Sequence, residues 1–320
     1  MKGGNVRMQR IQSIMKNHYG IEISGVRPQQ GGWAALAFKV SDDRRAYFLK
    51  QYEKSRASTP KWTAAIREYI PILAWLSEQE SFRGKVPVPV QTLDGQYRCE
   101  DEHGIYLLFE YIEGETIGEN ELTGEQVRQL SEIVSELHLL GEEIPYSTQG
   151  IRESFEVPFL SKLEDRMQEG LPDDMEAAIA PARSHLVKGM RTVRTLSERL
   201  AGRNLRMALC HMDLHHWNLM QSGDELVLLD WEGMKLAPVE SDLMFMTDTP
   251  YLEQFMHIYR TRHNGYQMDE DALRFYQIRR RLEDIWEFME QLLYDEQAEE
   301  ERRNTLDSLR KELLEFKSEI

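Results

Sequence analysis

Ala208-Leu209-Cys210-His211-Met212-Asp213-Leu214-His215-His216-Trp217-Asn218, then Val227-Leu228-Leu229-Asp230-Trp231-Glu232, then Pro238-Val239-Glu240-Ser241-Asp242, is the stretch on which the rest of the chain depends. The short apolar run from Met207 to Cys210 reads as a strand that delivers an acidic loop. Asn218 to Leu229, turning at Ser222-Gly223-Asp224, reads as a hairpin that delivers a second acid. This construction brings Asp213, Asn218 and Asp230 to one place. Moving a γ-phosphoryl group onto a hydroxyl needs a carboxylate to orient the hydroxyl and take its proton, and oxygen ligands for Mg²⁺, with little covalent work from the protein. Asp213 fits the first role; Asn218 and Asp230 fit the second. The step from Asp213 to Asn218 is that of a kinase catalytic loop, and Asp230 follows a strand as a kinase's metal-binding Asp does.

The order Leu209-Cys210-His211-x-Asp213-x-His215, a strand ending Asp230-Trp231-Glu232, and Leu236-Ala237-Pro238-x-Glu240-x-Asp242-Leu243-Met244-Phe245 resembles the aminoglycoside phosphotransferase family, most nearly its spectinomycin-directed branch. The resemblance implies an α+β, bilobal protein-kinase-like fold. A β-rich nucleotide lobe would span residues 1–109, a hinge 110–114, and a larger helical catalytic and substrate lobe 115–320. It also implies ATP and Mg²⁺ as cofactors and a small hydroxylated, amine-bearing acceptor of aminocyclitol or aminoglycoside type. Asp213 would be the base, Asn218 and Asp230 the metal ligands, and Glu232 a second acid that helps the metal site. His211 and His215 would brace the catalytic loop, and Asp242 would hold it from the following helix. Trp217 departs from the family's frequent small residue before the Asn.

The nucleotide side is read upstream. Gly31-Gly32 lies between β-like runs at 21–30 and 34–41, where a hairpin would lay backbone N–H groups over phosphates. The small polar residue that usually follows such glycines is replaced by Trp33-Ala34-Ala35-Leu36, which leaves the grip to the backbone. Lys50 ends the run Ala46-Tyr47-Phe48-Leu49-Lys50, which resembles the strand whose Lys contacts the α- and β-phosphates. A helix from about Pro60 to Gln79 follows, with a kink expected at Pro71 because proline removes a ladder bond. Glu68 on it is the expected partner of Lys50, a solvated helix Glu being the alternative. Strands at 86–92, 96–99 and 105–110 complete the lobe. In Leu107-Leu108-Phe109-Glu110-Tyr111-Ile112-Glu113-Gly114, the backbone around Glu110 and Ile112 would meet the adenine edge.

Residues 115–206 read as helices, opened by a capping-box pattern at Thr123-x-x-Gln126, with further segments at Phe155 to Met167 and Met175 to Leu200. Asp269 to Asp295 is the strongest helix of the remainder. Its Glu283-Asp284 matches a pair in the resembled branch and would face an amine, or else pairs with Arg279, Arg280 or Arg281 along the helix. Leu306, Leu309, Leu313 and Phe316 mark a docking face on a terminal helix.

Composition narrows the class. With 320 residues and 41% apolar content, the chain has material for two lobes. A net charge of −16 argues against an electrostatically driven nucleic-acid binder. Two cysteines make no disulfide framework, and cytoplasmic residence is the default expectation. The start has no apolar signal core, and no stretch approaches the ~20 apolar residues of a membrane span. His211-x-Asp213-x-His215 lacks a third soft ligand for zinc. Between Asp230 and Asp242 there is no room for a long activation segment, and neither Asp-Phe-Gly nor Ala-Pro-Glu occurs, so a small acceptor is favoured over a protein. Three rivals stay open: a metabolic kinase of choline, homoserine, methylthioribose or fructosamine type, a spore-coat relative, and a nucleotide-binding pseudokinase. Monomer and homodimer are equally compatible with the sequence.

Overall fold

The computed structural model of the chain describes residues 2–29, 34–141 and 144–319. Gly31 and Gly32, the expected phosphate loop, lie outside the described residues.

Helix α1 (Lys2–Tyr19) buries Ile11, Ile14, Met15 and Tyr19, the stripe that a 3.6-residue period puts on one side. Gly20, at φ +68°, ends it. Strands β1 (Gly25–Gln29), β2 (Leu36–Ser41) and β3 (Ala46–Glu53) follow, then helices α2 (Thr59–Thr63) and α3 (Ile66–Glu78), then strands β4 (Arg98–Glu100) and β5 (Gly104–Glu110). They form an antiparallel sheet in the order β1-β2-β3-β5-β4, with Lys50 opposite Ala37 on one side and Leu107 on the other. Alternation divides the side chains between two faces. Phe38, Val40, Leu49 and Leu108 pack under α1, whereas Tyr52, Leu107 and Phe109 join α3 on the opposite face. Lys50 shares the second face, which looks toward the helical part.

Two expectations for this region need correction. Residues 86–92 are not a strand: Pro87 and Pro89 have no N–H to give a ladder, and only an isolated bridge, Pro89 to Phe109, forms. The helix expected from Pro60 to Gln79 is two helices that part at Ala64–Ala65, and α3 continues through Pro71.

Beyond β5 come β6 (Glu115–Thr116) and α4 (Gly124–Leu137), then α5 (Phe159–Glu169), α6 (Asp173–Ile179) and α7 (Arg183–Ala201). Strands β7 (Met207–Cys210), β8 (Leu219–Ser222), β9 (Glu225–Leu228) and β10 (Lys235–Pro238) carry the loops of interest, and α8 (Glu240–Leu243), α9 (Leu252–Arg262), α10 (Glu270–Tyr294) and α11 (Glu299–Glu319) complete the chain. The capping box on α4 is formed, with Thr123 Oγ1 accepting from the Gln126 N–H and the Gln126 side chain accepting from the Thr123 N–H. The helix expected over Met175 to Leu200 is cut by a 3₁₀ turn at Ala180–Ala182, which holds Pro181. Residues 115–206 are not wholly helical either, because β6 pairs with β8 and ties the hinge exit to the hairpin. That pairing needs glycine at 114, where a Cβ would collide with the Gln221 carbonyl.

One apolar core joins the sheet to the helical part: Tyr52, Leu107, Leu130, Leu209, Leu228 and Phe255 belong to it. A second lies among α5, α6, α7, α10 and α11, where Leu309, Leu313 and Phe316 dock the last helix. No helix among the described residues is long and apolar enough to cross a membrane.

Candidate active site

The loop between β7 and β8 is fixed from its backbone. Asp242, fully buried on α8, accepts from the His211 N–H at 2.9 Å and the Met212 N–H at 2.6 Å. Met212 takes φ +74°, a left-handed conformation that a non-glycine residue holds only when its surroundings dictate it. The His211 ring reaches the Leu229 carbonyl at 2.7 Å and so ties this loop to the end of β9. His138 adds a 3.0 Å contact to Asp242 and a 2.9 Å contact to the Tyr259 hydroxyl. His138, Cys210 and Asp242 place ligand atoms within 4.8 Å of one another. These bonds account for that cluster, and burial pushes the Cys210 thiol far up, so it is a satisfied buried network.

Asp213 emerges from this braced loop. The Asn218 amide donates to both the Asp213 carbonyl and its Oδ2, each at 2.9 Å. With the amide nitrogen so engaged, the Asn218 Oδ1 is left as a ligand atom. Arg280, from α10, donates to Asp213 Oδ1 at 2.7 Å, and His215 Nε2 stands 3.3 Å from the same oxygen. Burial alone would raise the Asp213 carboxyl, but Arg280 and His215 outweigh it and hold the group well below the usual carboxylate range.

The second acid arrives in a strained turn. Asp230 follows β9 at φ +64°, and a 3₁₀ turn over Trp231–Gly233 folds Glu232 back beneath the sheet. Lys50 reaches across from β3 to donate to both Asp230 and Glu232, and the Tyr52 hydroxyl donates to Glu232. Burial works against the Asp230 carboxylate, yet Lys50 keeps it down at about 2. Burial, with Asp230 alongside, pushes Glu232 up to about 7. Two carboxyls thus share one cation. Asp230 and the Asn218 oxygen form a hard-oxygen donor set of the kind Mg²⁺ takes.

Not every expected residue joins this constellation. Glu68 is not the partner of Lys50. It lies in the first turn of α3, with Gly150 close against its side chain and its Oε2 buried without a hydrogen-bond partner, and Glu232 takes the place beside Lys50 instead. The Glu110 N–H is spent on the Val88 carbonyl at 2.9 Å, which removes that donor from the hinge. Ile112 has no backbone hydrogen bond among the described residues, so its groups remain for a ligand edge. Glu283 pairs with Lys61 at 2.9 Å and Asp284 with Arg280 at 3.0 Å, so both acids are engaged within the chain. Trp217 is 51% exposed and lies against Gly118 at the rim.

Two site residues escaped the sequence reading. Tyr52 had a usable signal, since two residues past Lys50 on a strand is the same face. Arg280 had none beyond membership of a three-arginine run. Successive residues on α10 point ~100° apart, so Arg279 goes to Glu153 at 2.8 Å, Arg280 to Asp213, and Arg281 to Glu312 at 2.9 Å.

Comparison with known proteins shows the family and the fold. The profile described as "APH: Phosphotransferase enzyme family" matches residues 25–276. No curated protein matches the sequence. Among solved structures, spectinomycin phosphotransferase APH(9)-Ia in complex with ADP and spectinomycin is similar at TM-score 0.73 and 20% identity, covering 97% of each chain. The choline kinase LicA from Streptococcus pneumoniae is similar at TM-score 0.59 and 16% identity, covering 97% of this chain and 99% of its own. A microcompartment-associated aminopropanol kinase follows at TM-score 0.61 and 16% identity, covering 96% and 95%. At these identities the likeness establishes the kinase-like fold.

Proposed function

Because the chain belongs to the APH phosphotransferase enzyme family, we propose that it transfers the γ-phosphoryl group of ATP to a hydroxyl of a small, amine-bearing acceptor, with Asp213 as the base. One observation carries this reading. Asp213, Asn218, Asp230 and Lys50, drawn from a loop, a hairpin and a distant strand, meet in the combination that phosphoryl transfer requires.

In this account the nucleotide lies between residues 1–109 and 115–320, with 110–114 as the hinge. The Ile112 backbone faces the adenine, and Lys50 faces the phosphates. Asn218 Oδ1 and Asp230 would hold Mg²⁺, which when bound neutralises charge on the phosphates. Glu232, hydrogen-bonded by Lys50 and Tyr52, keeps the lysine aimed beside the metal position. Asp213 orients the acceptor hydroxyl and takes its proton. A carboxylate held so far down is a weak base, which suits a loose transition state in which the hydroxyl proton leaves late.

The acceptors named for the three solved structures, spectinomycin, choline and aminopropanol, all combine a hydroxyl with a nitrogen cation. An aminocyclitol or aminoglycoside comes first, because the spectinomycin enzyme superposes at TM-score 0.73 against 0.59 and 0.61 for the other two; a metabolic amino alcohol comes second. The test is Mg²⁺-dependent ATP consumption against a panel of aminocyclitols, aminoglycosides, choline, homoserine, methylthioribose and aminopropanol. Stimulation by one acceptor supports the reading. ATP binding with no stimulation by any of them counts against it.

A further inference from the structure

We propose that Arg280 guards the base: its guanidinium occupies the acceptor's place on Asp213 until an acceptor hydroxyl displaces it, and so suppresses phosphoryl transfer to water. The proposal rests on the reading of Asp213 given above and adds a positioning residue to it.

The occupancy of Asp213 is the starting point. A carboxylate accepts about four hydrogen bonds, two on each oxygen. Oδ1 has Arg280 at 2.7 Å and His215 at 3.3 Å, and Oδ2 has Asn218 at 2.9 Å. A hydroxyl that is to be deprotonated must come within about 2.6–3.2 Å of one of these oxygens. Oδ2 keeps one opening beside Asn218, so an acceptor that comes from the other side, toward Oδ1, meets Arg280 first.

Arg280 stands on that other side. It enters from α10, whereas Lys50 enters from β3, and it contacts Asp213, Asp284 and the Phe245 ring at 5.9 Å. It makes no bond to the Lys50, Asp230 and Glu232 group. The guanidinium also has somewhere to go. Its Nε already donates to Asp284 at 3.0 Å, so it releases Asp213 without becoming an unpaired charge, the arrangement that would make release prohibitive. A hydroxyl then replaces one N–H on Oδ1.

The reaction held in check is hydrolysis. A water oxygen bonds to the γ-phosphorus, the bond from that phosphorus to the bridging oxygen of ADP breaks, and the water proton passes to Asp213 and on to solvent, giving ADP and inorganic phosphate. A water molecule lacks the binding contacts that an acceptor uses to move Arg280.

The experiment measures ATP binding, ATP hydrolysis without acceptor, and transfer to the acceptor that stimulates the wild type. In Arg280→Gln, hydrolysis should rise about tenfold or more, a part of the ~10² or more that a freed general base contributes, while the acceptor KM falls. Arg280→Lys should bring hydrolysis back toward the wild-type rate. Asp284→Asn should act in the opposite sense, raising the acceptor KM and leaving hydrolysis at or below the wild-type rate, because the guanidinium loses its alternative anchor. A merely structural Arg280 would lower both activities together. Unchanged hydrolysis in folded Arg280→Gln overturns the guard alone. If that variant does not fold, Asp284→Asn decides, and an unchanged acceptor KM overturns the guard. A wild type that fails to bind ATP overturns the guard and the proposed function together.

Discussion

Two partly buried clusters in this molecule are each built from one lysine and two acids, the second with its lysine 39% exposed. In the first, Lys50 holds Asp230 and Glu232; in the second, Lys61 on α2 holds Glu283 and Glu287 on α10. Both split their acids in the same way. Lys61 and Arg279 overcome burial and keep Glu283 at about 2, whereas burial pushes Glu287 up to about 7 against the pull of Lys61. Asp230 and Glu232 stand at about 2 and about 7 as well. One cation cannot hold two desolvated carboxylates charged, so one acid of each pair keeps the charge and the other tends to keep a proton.

What differs is the surroundings. The Lys50 cluster borders Asp213 and Asn218, whose amide oxygen is uncommitted, and Asp230 there is held at positive φ. In the Lys61 cluster Arg279 also faces Glu283 at 3.8 Å, and just before α2 the Ala57 N–H donates to the Asp295 carboxylate past the end of α10 at 2.9 Å. The same electrostatic plan serves as a place for added cations in one case and as a latch between α2 and α10 in the other.

Substituting each lysine should separate the two. Lys61→Met removes a half-exposed cation from Glu283 and Glu287 and should cost roughly 1 to 2 kcal/mol of stability, a loss that Mg²⁺ does not recover. Lys50→Met should lower turnover by about 10², equivalent to roughly 3 kcal/mol, through weaker productive nucleotide binding, and Mg²⁺ should restore part of its lost stability. Thermal unfolding of both variants with and without Mg²⁺ checks this; equal recovery in the two would erase the distinction.

The latch should also show in pH dependence. The Glu287 carboxyl titrates near 4.5 in the unfolded chain and at about 7 in the folded one, so the folded state binds the proton more tightly. Its contribution is therefore present in full below about pH 4.5 and is lost as pH rises through about 7. Relative to Glu287→Gln, the wild type should lose up to about 3 kcal/mol between pH 5 and pH 8. Parallel stability curves for the two would place the titration elsewhere. The smallest effect belongs to a site far from both clusters: Thr123→Ala should cost about 1 kcal/mol by removing the α4 cap, with activity unchanged. A change in ATP affinity in that variant would link the cap to the site.

The sequence told more about the catalytic loop than about its neighbours, and for a physical reason. Asp213, Asn218 and Asp230 sit on short local turns whose spacing fixes their geometry, so linear order was informative. Asp242, its loop partner, was legible for the same reason. Lys50 was legible as a strand end, but its acid was not. Glu68 and Glu232 both lay within plausible reach, and only the positive φ at Asp230 and the turn after it bring Glu232 under the sheet. Arg280 required the packing of α10 against the loop, a contact between residues far apart in sequence that no local period encodes. The strand ending at Glu110 was legible, but the Val88 carbonyl that occupies the Glu110 N–H comes from a proline-flanked segment that forms no strand.

If Asp213 serves an acceptor hydroxyl beside a bound nucleotide, phosphoryl transfer depends on its carboxylate and nucleotide binding does not. The most direct measurement is single-turnover transfer to the stimulating acceptor by wild type and Asp213→Asn, with ATP affinity determined alongside. Transfer should fall by ~10² to 10⁴, equivalent to roughly 3 to 5 kcal/mol, while ATP binding changes little. Near-full transfer by Asp213→Asn would contradict the account.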